Sequence, residues 1–151
     1  MEEASSGLQD DAVAIYNMKK VYLKDLSFES PKVPDFFSGK APDDPRHSMH
    51  ITIGIAHIEM PNNEYEVTLT LAIHAINTKD ESLCLLEVQQ AGIFLIENVA
   101  EKDLEHYLTV HCPRSIFPFA RQWIWSMIAG AGFPALLMQD IDFDALRKQN
   151  D

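Results

Sequence analysis

The chain has 151 residues, 46% of them apolar and 23% charged, which is the mixture of one ordinary globular domain rather than of a disordered segment. Its 23 Asp and Glu against 12 Lys and Arg leave a net charge of −11, which repels phosphate backbones and anionic lipid head groups and argues against nucleic acid as a partner. The same charge suits a partner with a basic patch, and it also serves solubility alone.

The start, MEEASSGLQDDA, carries acids where a secretory signal would carry Lys or Arg, so a cytoplasmic location is expected. We read residues 1–14 as a flexible acidic leader and 15–148 as a single domain. The most apolar window, Trp123–Met138, falls short of the roughly 20 residues of a membrane span and is interrupted by Gly130, Gly132 and Pro134. Direct membrane insertion is therefore not expected. Cys84 and Cys112 are too few for a disulfide scaffold and read as free thiols.

In chain order, IYNMKKVYLKDLSFES is rich in β-branched and aromatic residues and stops at Pro31. Within it Asp25 and Glu29 share one parity, Leu26 and Phe28 the other. The four prolines of PKVPDFFSGKAPDDPR exclude helix and central strand, making a long crossover loop that carries Val33, Phe36 and Phe37. MHITIGIAH alternates Met49, Ile51, Ile53 and Ile55 with His50, Thr52, Gly54 and Ala56, the period of a strand with one buried face. After the turn residues MPNNE, the stretch YEVTLTLAIHA resumes the alternation, so strands two and three should pair as a hairpin. A second polar turn, NTKDES, leads to LCLLEVQQAGIFLI, whose first half is apolar on both parities and calls for cover on both sides.

Beyond Asn98 the pattern becomes helical. AEKDLEHYLTVHCP suggests a short amphipathic helix. A second, PRSIFPFARQWIWSMIAGAG, sets Ile116, Phe119, Ala120, Trp123, Met127 and Ala131 at helical spacing, with Phe117, Ile124, Trp125 and Ile128 filling much of the rest. Such a helix needs cover on more than one side. FPALLM then crosses in a loop, and DIDFDALRKQN offers an Asp cap for a final short helix. Four strands followed by helices, with no βαβ alternation, define an α+β fold: a four-stranded antiparallel sheet packed against a long helix and a short C-terminal helix. The surplus apolar surface predicts a homo-oligomer.

Catalytic constellations are poorly supported. His50 and His57 are seven apart in a strand, hence on opposite faces, and His106 and His111 would lie about 140° apart on one helix. His111–Cys112–Pro113 puts thiol beside imidazole in sequence only, whereas Cys–His catalysis needs closeness across the fold. The glycines form no phosphate loop and there is no CxxC pair. From a different class we keep a small α+β hydrolase or ligand-binding domain with His111 or Cys112 beside a pocket.

Four separated stretches carry a family resemblance in one order: YLKDLSFESPKVP, LEVQQAGIF, CPRSIFPFAR and GFPALLMQDIDFDAL. The match covers Ile15 to about Leu146 in order, and the chain resembles the SecB family of bacterial export chaperones. The resemblance implies a non-enzymatic cytoplasmic holdase, a dimer of dimers that needs no nucleotide, metal or other cofactor. It further implies unfolded precursor proteins as clients and the translocase motor SecA as the receiving partner. Matched residue by residue, it places Asp25, Glu29, Leu85 and Glu87 on the SecA-binding face. Client grooves would draw on Val33, Phe36, Phe37, Phe133, Leu136, Leu137, Phe143 and Leu146. The tetramer interface would draw on Leu86, Val88, Gln90, Trp123 and Met127. A solvated sheet surface competes with the first assignment, and plain core packing with the other two.

The chain departs from the family pattern at Ala91, where many members carry a first glycine, and at Ser30, where alanine is frequent. It also ends at Asp151 with little of the polar, acidic tail often found in the family. A paralogue dedicated to one client, such as an antitoxin, is the alternative within the family.

Overall fold

The computed structural model describes residues 12–38 and 48–150. The expected acidic leader up to residue 11 and the crossover loop from 39 to 47 lie outside the described residues. Strands β1 (Ile15–Glu29), β2 (Met49–Met60), β3 (Glu64–Ile76) and β4 (Ser82–Glu97) form one antiparallel sheet in the order β1-β4-β3-β2. Turn chemistry sets the hairpins: Asn62 and Asn63 take positive φ between β2 and β3. Between β3 and β4 the Asn77 Oδ1 accepts the backbone N–H groups of Lys79 and Glu81 at 2.8 and 2.9 Å.

Alternation then decides what is buried. Val67, Leu69, Leu71 and Ile73 of β3 and Leu86, Val88 and Phe94 of β4 lose all contact with water on the inner face. Each such side chain contributes roughly 1.5–3 kcal/mol of transfer free energy.

That face is covered by one helical rod. The sequence predicts two helices here, but α2 (Glu101–His106), a π-helical turn (Tyr107–His111) and α3 (Cys112–Gly130) run on without leaving helical geometry. Neither Pro113, where the π turn passes into α3, nor Pro118, inside α3, ends the rod. The buried stripe of α3 is Ile116, Ala120, Ile124 and Ile128 with Phe117, so the expected face turns: Phe119, Trp123 and Trp125 stay exposed. Gly92 permits the close approach of rod to sheet, since a Cβ there would stand 3.1 Å from Ile116 and 3.0 Å from Phe94. The departure at Ala91 costs nothing comparable, because it has the opposite parity, beside Tyr22.

The rod ends in a Schellman motif. Phe133 N–H donates to Ile128 C=O, Gly132 N–H donates to Ala129 C=O, and Gly132 has φ 95°. The final helix, α4 (Phe143–Asn150), is capped as the sequence predicts, with Asp142 Oδ1 accepting the Ala145 N–H at 3.0 Å. A correction concerns the crossover loop: despite its prolines it forms one helical turn, α1 (Asp35–Ser38), which Pro34 precedes and so does not break.

Candidate functional site

Two surfaces, and the group of Cys112 with His106 and His111, bear on function. The first surface is the outer face of the sheet. Register places Asp25 opposite Gln89, Ser27 opposite Glu87 and Glu29 opposite Leu85, so the four candidate docking residues lie on three consecutive outward rungs of β1 and β4. Leu85 is 41% exposed amid these carboxylates. The other half of the same face is different in charge: Lys19 pairs with Glu64 at 2.7 Å and Lys24 with Glu66 at 3.0 Å, across β4. Tyr22 also donates to Glu66, which lowers the Glu66 pKa and pushes the Tyr22 hydroxyl, already desolvated, up to about 12. The acidic half is thus bounded by a neutralised half.

The second surface lies where the rod ends. The rings of Phe36, Phe37 and Phe133 pack mutually, with centroids 5.1 to 5.5 Å apart. The ring of Phe37 rests on Gly132, where a Cβ would stand 2.9 Å from its Cζ. Lys32 is held to Glu81 at 2.5 Å, tying the loop to the far hairpin turn. Nearby opens a cleft of about 450 Å³ lined by Phe28, Ser30, Ser126, Met127, Gly130 and Ala131. Farther along the rod, Leu137, 60% exposed, lines a second cleft of about 540 Å³ with Pro118, Arg121, Gln122 and Trp125. Sequence reasoning missed most of these cleft residues. The inward parity of Phe28 at a strand end and the small side chains of the GAG stretch were the available signals.

Several expected site residues belong elsewhere. Phe133 and Phe143 are buried in the core, Phe143 edge-on to Phe117 of α3. Leu136 and Leu146 are half-buried against that core. Val33, Phe36 and Phe37 keep exposed or half-exposed positions, Phe37 at 48%. Leu86, Val88 and Gln90 are buried within the chain, on the sheet face that its own helix layer covers. The Gln90 amide donates to Tyr22 C=O at 2.9 Å, beside the bulge between Leu23 and Asp25. Of the expected interface residues, Trp123 remains exposed and Met127 partly so.

The thiol and imidazoles are arranged against nucleophilic chemistry. Cys112 is buried and its thiol is pushed up to about 12 by desolvation, the reverse of an activated thiolate. His106 and His111 correct the helical-wheel estimate, for the π turn winds more widely and brings their rings to 4.9 Å, edge to face. Burial first, then His106 and Arg114, lower the His111 pKa, while Asp144 opposes them.

An α+β chain with an acidic sheet face, a continuous helical rod and an aromatic cluster at the rod's end defines a surface-binding protein. Comparison with known proteins gives the family. The model of the family described as preprotein translocase subunit SecB matches residues 9–151. The protein-export protein SecB of Pseudomonas paraeruginosa is 35% identical over 148 residues, covering 98% of this chain and 88% of the relative. That of Halorhodospira halophila is 36% identical, covering 89% of this chain and 75% of the relative. The chain belongs to the SecB family of export chaperones, and the chaperone reading stands over the hydrolase. The fold agrees with a solved Mycobacterium tuberculosis SecB-like chaperone in complex with a ChAD peptide from the HigA1 antitoxin. The TM-score is 0.67 at 11% identity, covering 84% of this chain and 91% of that one. Among the described residues no helix is long and apolar enough to cross a membrane.

Proposed function

We propose that the chain is a cytoplasmic holdase that keeps precursor proteins unfolded and hands them to SecA. The observation that supports this reading is the Phe36–Phe37–Phe133 cluster beside an open apolar cleft. Apolar attraction is non-directional, so such a surface accepts many unrelated extended segments. Val33, Leu137 and the open rims of the clefts extend the client surface; Phe133 supports it from beneath. The acidic patch of Asp25, Glu29 and Glu87 around Leu85 is the docking face for SecA, its apolar centre rimmed by charge. Phe119, Trp123 and Met127 on the open side of α3 are the contact between copies in a dimer of dimers.

The test separates the two surfaces. Asp25→Ala with Glu87→Ala weakens binding to SecA and leaves suppression of client aggregation unchanged. Loss of both together contradicts the assignment of faces. Light scattering gives a mass near four chains, and a stable monomer contradicts the assembly.

A further inference from the structure

The joint between the C-terminal helix and the π turn does something that client binding and docking do not use. His106 stands between the rod and α4: its Nε2 is 3.7 Å from Asp144 Oδ1 and its Nδ1 is 3.4 Å from Arg147 Nη1. Arg147 is an N–H donor at every pH, so Nδ1 can accept from it only while His106 is neutral. Arg114 holds Asp144 from the other side at 3.2 Å, and Arg147 Nη2 lies 3.9 Å from Glu105. Two guanidinium groups therefore face two carboxylates. The charges balance while both imidazoles are neutral.

We propose that this joint is a proton-released catch: mild acid undocks the C-terminal helix from the π turn and bares the apolar surface of Phe117 and Phe143. The proposal goes beyond the chaperone reading and does not depend on it. The π turn is what makes it possible, since in a regular α-helix His106 and His111 would point about 140° apart. The ring of His111 is faced by His106 and Tyr107 from the rod and by Tyr16 from β1. Arg114 at the start of α3 and Asp144 of α4 complete its charged surroundings. β2, which approaches the π turn, carries His57 and Glu59 on its inner parity. Tyr16 and Cys112 stay neutral throughout, because burial pushes both upward.

One proton on His106 is tolerated by Asp144 but sets a cation against Arg147. A second, on His111, would place two imidazolium rings with centroids 4.9 Å apart between two guanidinium groups. The docked state resists that proton, whereas an opened joint returns His111 to water and to its ordinary titration. Acid consequently favours opening, by linkage.

Amide hydrogen exchange of the full chain, corrected for the intrinsic effect of pH, tests this between about pH 7.5 and 5.5. Protection of amides 144–149 should fall roughly fivefold or more on acidification while that of 116–128 holds. In His111→Gln the fall should flatten. Unchanged protection of amides 144–149 in the wild-type chain overturns the proposal, and so does a His111→Gln chain that keeps the full pH dependence. If His111→Gln does not fold, His106→Gln serves: it removes the ring that lies against Asp144 and Arg147, and full retention of the pH dependence there is equally fatal.

Discussion

At its beginning the rod Glu101–Gly130 is fastened to the rest of the molecule by imidazoles, guanidinium groups and carboxylates; at its other end it is fastened by phenylalanines around a glycine. The first joint is directional and sensitive to protons and salt, because each contact needs a particular charge and angle. The second is neither, since ring packing tolerates rotation and exchange of partners. A surface that must accept unrelated chains therefore fits the aromatic end. The polar end is suited to being opened by a change in conditions.

Removing the most buried ring of the aromatic cluster should separate the two ends most strongly. Phe133→Ala is expected to cost about 3–5 kcal/mol in chemical denaturation, because it deletes a core side chain that also supports Phe36 and Phe37. A cost below about 1 kcal/mol would mean the cluster is not anchored in the core. Next comes Gly132→Ala, at about 1–2 kcal/mol for the left-handed backbone alone. It should also disturb client suppression by displacing the Phe37 ring.

At the polar end, Asp142→Ala should cost about 1 kcal/mol through loss of the helix cap, with exchange protection lost within the C-terminal helix first. Acid sharpens the contrast. His111 is harder to protonate in the folded chain than in the unfolded one, so its contribution is fully present above about pH 6.5 and is lost as pH falls toward the lower folded value. Thermal denaturation across that window should show the decline, and His111→Gln should reduce it. The smallest stability effect belongs to Phe37→Ala, within about 1 kcal/mol because nearly half of that side chain already faces water. Its effect on client binding should nevertheless be large.

Much of the scaffold was legible because strands write a period of two into the sequence: the parities of Val67, Leu69, Leu71 and Ile73, and of Asp25 and Glu29 against Leu26 and Phe28, needed no coordinates. The helical rod was legible only in part. A single π turn shifts the phase of everything before it, and no residue between Tyr107 and His111 announces it. The apolar loop residues were readable as a group but not one by one. Phe37 and Phe133 have the same side chain, yet one is half exposed and the other buried, and that depends on where the loop after Gly132 folds back. Leu86, Val88 and Gln90 show the same limit: inward parity on β4 is visible in sequence, but their burial within the chain needs the rod in place.

The central claim is that non-native chains bind at the aromatic end of the rod. A photoreactive phenylalanine analogue at position 37, irradiated with an unfolded precursor, tests it most directly against the same probe at Asp103 near the polar end. The account predicts covalent adducts from position 37 and few from position 103. Equal yields from both, or none from 37 while the client is held, would contradict it.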